Sequence, residues 1–278
     1  MNTETCLLTH FIRNNKIVSS CDFVPPMLAN SVIIYEVIRV IDTTPLFFNE
    51  HVERFYNSIA QAGYKTILSK DNIALRIKAL IETNKLVDGN IKFQINFTIK
   101  NTETFTAWLC PFFYPTKELY GKGIAVETIS AHRNNPNIKA GNLQLTEVVN
   151  SIFSSNKSIY EVLLVNSEGI ITEGSRSNIF FIENNNIYTP LIETVLPGIT
   201  RQKVMQASKK IGIKCHETSI SLDNIAMYQG AFITGTSPKV LPINKINNTI
   251  FNPNNPILKK IMNEYDLMID KDIQSFVW

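Results

Sequence analysis

The chain predicts an α+β fold of two domains, on three observations. Strand-like and helix-like segments follow one another irregularly instead of repeating as βαβ units, which disfavours a doubly wound sheet. Ile91, Phe93, Ile95 and Phe97 alternate strictly with Lys92, Gln94, Asn96 and Thr98, the period of a strand with one wet face, and Thr104–Leu109 follows as its hairpin partner. Pro111, Pro115 and Gly121 then punctuate residues 112–123, a natural linker. The expected division is 1–117 and 118–278.

The elements follow in order. Ser31–Val40, rich in Val, Ile and Tyr, predicts a buried strand that Pro45 ends. Val52, Phe55, Ile59 and Ala62 recur at helical spacing from about Asn49, and Gly63 is the stop. A second helix is expected from Asp71 as N-cap, with Ile73, Ile77, Leu80 and Ile81 on one face. Beyond the linker come a strand at Ile124–Ile129, the polar segment Ala131–Asn142, and a helix over Leu143–Ser154 that uses Leu145, Val148, Val149 and Ile152. Short strands follow at Tyr160–Val165, Ile170–Thr172 and Asn178–Ile182, then a helix from about Thr200 to Gly212. Strands near Ala231–Thr234 and Val240–Ile243 and a helix after Pro256 complete the chain.

Composition narrows the function classes. Of 278 residues 44% are hydrophobic and 18% charged, enough apolar material for a sizeable core. The net charge of +3 carries no basic block, so nucleic-acid binding is not indicated. Cys6, Cys21, Cys110 and Cys215 form no C-x-x-C pair, which argues against structural zinc and a disulfide framework and favours a reducing cytoplasm. Met1–Asn15 lacks the pattern of a secretory signal. No apolar stretch approaches the ~20 residues that span a bilayer, so a soluble protein is expected.

Three segments place small polar groups and a charge beside short apolar strands, where sites are commonly built. In Leu196-Pro197-Gly198-Ile199-Thr200-Arg201 a tight turn opens a helix, and its N–H groups with the Thr200 hydroxyl can take an anion. Glu173, in Thr172–Asn178, can pair with a cationic ring nitrogen, with Arg176, or with solvent. Thr234-Gly235-Thr236-Ser237-Pro238 lets a ligand approach the backbone. Taken singly, each also reads as a plain loop, with Thr200 as an N-cap. Lys139 precedes Ala140-Gly141-Asn142 at a helix start; most lysines are solvated, but a buried one can act as nucleophile and proton shuttle. Arg54 sits between apolar helix positions, either half-exposed or suited to a phosphate clamp.

In this order and spacing the segments Tyr35–Arg39, His51–Arg54, Lys139–Asn142, Glu173–Phe180, Leu196–Arg201 and Phe232–Pro242 resemble the class IV (fold type IV) pyridoxal-phosphate enzymes. That family includes branched-chain and D-amino acid aminotransferases and aminodeoxychorismate lyases. The resemblance implies a smaller N-terminal α/β domain, a larger barrel-like C-terminal domain and a homodimer. It also implies that Lys139 carries pyridoxal 5'-phosphate as a Schiff base and moves a proton, and that Glu173 pairs with the pyridine nitrogen. Arg54, the N–H groups of Ile199 and Thr200, the Thr200 hydroxyl and Thr236 would hold the phosphate. Leu196 would pack on the ring, while Tyr35 and the Thr236-Ser237 backbone would line the substrate side. No metal is implied.

Two departures bear on the substrate. The strand Ile91–Thr98 lacks the arginine by which some relatives recognise substrate, and Leu143 stands where branched-chain enzymes tend to place tyrosine. The leading expectation is an aminotransferase acting on an amino acid, branched-chain-like or D, and a 2-oxo acid. The alternative is a lyase releasing pyruvate from aminodeoxychorismate for folate synthesis. Thr234-Gly235-Thr236 is closer to the aminotransferase form of that loop. A non-catalytic binder would have no need of both Lys139 and Glu173.

Overall fold

A computed structural model describes residues 4–25, 31–98, 102–133 and 135–278. The chain forms two compact units. The first comprises Met1–Phe112, Ile138–Leu143 and Lys271–Trp278; the second comprises Phe113–Asn137 and Gln144–Asp270. The architecture is α+β, as the sequence predicts.

The first unit is built on strands β1 (His10–Arg13), β2 (Lys16–Ser19), β3 (Ser31–Ile41) and β4 (Thr44–Pro45), helices α1 (Phe48–Gln61) and α2 (Lys70–Asn84), and strands β5 (Gly89–Thr98) and β6 (Glu103–Leu109). Its sheet runs β2-β1-β6-β5-β3-β4, with every pairing antiparallel. Ile34, Ile38 and Val40 of β3 pack with Ile91, Phe93 and Ile95 of β5 against Val52, Phe55 and Ile59 of α1. That apolar layer fixes which face of β3 looks at α1. Gly63 follows α1 at φ +81°, a left-handed position that ends the helix. The cap of α2 is Ser69, whose hydroxyl accepts from Asn72 N, and not Asp71, which lies inside the first turn and complements the helix dipole there.

The polar face of β5 is drier than its alternation predicts. Gln94 is buried, and the Lys92 Nζ lies 4.5 Å from the Tyr35 ring centroid and 5.3 Å from that of Trp108. Aromatic rings and the lysine stem cover what the pattern alone assigns to solvent.

The second unit contains α3 (Lys117–Lys122), β7 (Ile124–Ser130), α4 (Leu143–Ser155), β8 (Glu161–Val165), β9 (Ile170–Gly174), β10 (Asn178–Glu183), β11 (Asn186–Thr189), α5 (Ile199–Lys210), β12 (Cys215–Glu217), β13 (Ile220–Ser221), β14 (Gly230–Gly235), β15 (Lys239–Ile246), β16 (Thr249–Ile250) and α6 (Pro256–Ser275). The first residue of α4 and the end of α6 count with the first unit. Ten strands form one sheet in the order β12-β11-β10-β14-β15-β7-β8-β9-β13, with β16 on β15. Ile124, Leu163, Ile179, Phe181, Ile233 and Leu241 belong to its core. Of the apolar positions expected to bury α4, Val149 is buried and Val148 is exposed. Among the described residues, no helix is long and apolar enough to cross a membrane.

Candidate active site

In the first unit, β3 places Tyr35 and Glu36 on opposite faces of the sheet. Glu36 therefore joins the row of Ile34, Ile38 and Val40 that faces α1, and it is fully buried. A lone carboxylate there needs partners, because burial without them costs several kcal/mol. Helix α1 supplies two, at i and i+3 on one face: His51 and Arg54, both buried. The Arg54 Nε donates to Glu36 Oε1 at 2.7 Å and its Nη2 to Oε2 at 2.6 Å, a two-pronged pair. The His51 Nδ1 lies 2.8 Å from Oε2.

Burial alone would raise the Glu36 pKa, but the Arg54 charge and the hydrogen bonds from His51 and Arg54 outweigh it and hold the carboxyl at about 2. Burial lowers the His51 pKa, and the charges of Arg54 and Lys139 add to that against the opposing pull of Glu36. His51 is therefore neutral near pH 7, and beside an ionised carboxylate its Nδ1 must carry the proton and donate it.

Lys139 belongs to this group. Its segment runs along the edge of β3: Tyr35 N donates to Lys139 O at 3.1 Å, Gly141 N donates to Ile33 O at 3.3 Å, and Ile34 and Ala140 form an antiparallel bridge. The Lys139 N–H donates to the Ser58 hydroxyl on α1 at 3.2 Å. The side chain is half-buried, with Nζ 5.3 Å from the Tyr35 ring centroid. Arg54 is thus the cation paired with the buried carboxylate, while the charge of Lys139 bears on His51.

The second unit holds the other candidates. Glu173 lies on β9 and is buried. Its Oε2 accepts from Leu196 N at 3.0 Å, so the strand carboxylate holds the start of the Leu196–Thr200 turn. Its ion-pair partner is Arg133 and not Arg176, whose guanidinium sits over the Phe153 ring. The Arg133 Nε approaches Glu173 Oε1 to 2.7 Å without aiming its N–H at the oxygen, a charge contact more than a hydrogen bond. The Arg133 Nη2 donates to Ser175 O.

Helix α5 begins at Ile199, with Gly198 as an N-cap that has no side chain to offer. Thr200 therefore lies in the first turn and not at the cap, and the N–H groups of that turn have no acceptor within the helix. Asn178 holds the turn from β10 by donating to Leu196 O at 2.9 Å. Its Oδ1 fills the space that a Cβ on Gly198 would occupy, so the glycine is required by close approach. Thr236 and Ser237 are half-buried in the turn between β14 and β15, which Tyr120 fixes by donating to Pro238 O at 2.9 Å.

The structure thus sets Lys139 against Tyr35 and pairs Arg54 with Glu36 in the first unit, and joins Glu173 to Leu196 in the second. Three residues gain roles that the sequence did not assign. Glu36 had a legible signal, an acid in the middle of an apolar strand. His51 shared a motif with Arg54 but carried no distinguishing spacing. Arg133 was one cation in a polar segment, and only the tertiary pairing with Glu173 distinguishes it. Glu161 is a further buried acid; it accepts from the Ser175 and Ser177 hydroxyls and from Arg176 N, and so braces the loop after Glu173.

The same residues fall within a recognisable family pattern. The model of the class IV amino-transferase family matches residues 33–246. The chain is 29% identical over 223 residues to the D-alanine aminotransferase of Bacillus licheniformis, covering 77% of this chain and 78% of that protein. The solved branched-chain amino acid aminotransferase of Escherichia coli is similar with a TM-score of 0.83 and 21% identity, over 94% of this chain and 95% of that one. That of T.th., solved with pyridoxamine 5'-phosphate, is similar with a TM-score of 0.83 and 22% identity, over 96% of each chain. A family match spanning β3, Lys139, Glu173 and the β14–β15 turn means that this chain belongs to the class IV aminotransferases.

Proposed function

We propose that this enzyme uses pyridoxal 5'-phosphate to move an amino group between an amino acid, D or branched-chain-like, and a 2-oxo acid. The observation that carries the proposal is Lys139, clamped on the β3 edge and bonded through its N–H to Ser58 of α1, the helix that also carries Arg54. The residues suit the cofactor chemically. A dianionic phosphate needs a cation, which Arg54 would supply. A protonated ring nitrogen needs a buried carboxylate, which Glu173 supplies. An aldehyde needs an amine, which Lys139 supplies.

When bound, the cofactor supplies an electron sink for the carbon that loses its proton. Lys139 Nζ would hold the cofactor and would move the proton at the substrate Cα. Glu173, paired with Arg133, would face the ring nitrogen. Arg54, the Ile199 and Thr200 N–H groups, the Thr200 hydroxyl and Thr236 would be the phosphate ligands; Leu196 would pack on the ring, and Tyr35 and the Thr236-Ser237 backbone would orient the substrate. A cytoplasmic homodimer is part of the same reading, supported by the absence of a C-x-x-C pair and by family likeness.

The test is spectroscopic. The purified protein should be yellow, and borohydride should fix the label on Lys139. Incubation with L- or D-amino acids and 2-oxoglutarate should convert the bound cofactor to its amine form. If no amino acid does so, the transaminase reading fails and pyruvate release from aminodeoxychorismate gains. A Lys139→Ala variant that still transaminates overturns the assignment of the lysine.

A further inference from the structure

Glu36 and His51 touch none of the chemistry just described, yet they are buried, polar and hydrogen-bonded to each other. Their neighbours in the row are Ile34, Ile38 and Val40, so a wholly apolar layer was available without any charge to desolvate; with Arg54 buried there, Glu36 is its counter-ion. What the pair supplies is orientation.

An arginine guanidinium is planar and has five N–H donors in fixed directions. Glu36 engages the Nε and Nη2 edge with both carboxylate oxygens, at 2.7 and 2.6 Å, which fixes the plane and its rotation together. The Nη1 side is thereby aimed in one direction. The His51 Nδ1–H, at 2.8 Å from Oε2, holds the carboxylate in turn. His51 and Arg54 lie one turn apart on α1, and Ser58, one turn further, accepts from Lys139 N. One helix face therefore carries the clamp and the support of the lysine segment.

We propose that Glu36, held by His51, is the positioning residue that sets Arg54 for the cofactor's phosphate, so that the pair controls recognition of the phosphate and not of the ring. The inference rests on the cofactor reading above. It divides the work of the first unit: Lys139 meets the aldehyde carbon, while Glu36 and His51 act at a distance, through Arg54, on the other end of the same molecule.

The experiment compares pyridoxal phosphate with pyridoxal, which lacks the phosphate, by absorbance titration of the full-length protein freed of cofactor. For Glu36→Gln the dissociation constant for pyridoxal phosphate should rise about tenfold or more, with that for pyridoxal unchanged. Arg54→Gln should show the same selectivity, and the double variant should lose little beyond either single one, because both act through one contact. Equal weakening of both ligands would mean that Glu36 only supports the fold, and would overturn the proposal. Should Glu36→Gln fail to fold, Glu36→Asp keeps the charge but draws the guanidinium back by one methylene. An Asp variant with the selectivity of the unaltered protein overturns the proposal equally. If the unaltered protein takes up neither ligand on Lys139 after borohydride, the cofactor reading itself has failed and the inference falls with it.

Discussion

Glu36 and His51 respond to acid in the same direction. Each has a native pKa below its ordinary value, 4.5 for the carboxyl and 6.5 for the imidazole. Below those values the unfolded chain binds more protons than the native one, so stability falls with pH. The His51 contribution is complete above pH 6.5 and is lost as the pH drops from there toward its lowered native value. The Glu36 contribution persists to lower pH, fading from 4.5 toward about 2. Thermal melts between pH 7 and 5 should therefore show the unaltered protein losing stability, and His51→Gln losing less over the same interval. Parallel slopes would show that another group titrates there. At this scale the sequence was partly legible. Glu173 and Lys139 stood out through motif order, but Arg133 stands six positions before Lys139 in a segment with no periodicity, and only folding shows which acid it faces.

At the level of elements, the turn before α5 is the tightest constraint described. A Cβ at Gly198 would collide with the Asn178 Oδ1, and Asn178 is itself tied to Leu196 O. Gly198→Ala should cost about 1–3 kcal/mol, the range for overpacking a close contact, read as a lower urea midpoint with an unchanged slope. It should also loosen Leu196 from Glu173. Helices and long strands were legible because their apolar residues repeat over many positions: α1, β3 and β5 are of this kind. The shortest strands were not. The four-residue strands β1, β2 and β11 carry too few positions for a period to emerge, and pairing rather than propensity makes them. Ser69 rather than Asp71 caps α2 because both residue types suit a cap, and backbone geometry decides which.

On the scale of the whole chain, the first unit is assembled from distant stretches of sequence, and its last eight residues are one of them. Phe47 begins α1 in a left-handed conformation with no side-chain cap of its own. Its N–H instead donates to Asp272 Oδ2 at 2.7 Å, and Phe276 and Trp278 set their rings edge-on to Phe48. Removing Lys271–Trp278 should leave that N–H unsatisfied, at about 1–3 kcal/mol. Hydrogen exchange should speed up in α1, while the strands of the second unit keep their protection. Uniform speeding across the chain would contradict this. No local pattern announces such closure, since it joins positions 225 residues apart in sequence.

The segment that holds Lys139 has one more consequence. Strand β3 pairs with β5 on one side, and along its other side only Val40 and Ile41 meet β4. Residues Lys139–Gly141 cover part of the remaining edge, occupying Ile33 O and Tyr35 N. An uncovered edge of Val and Ile is a template for strands of other molecules. Lys139 is thus mounted on the strip that shields this edge of the sheet from other strands. If it carries the proposed chemistry, sequence changes that free the strip remove activity and solubility together.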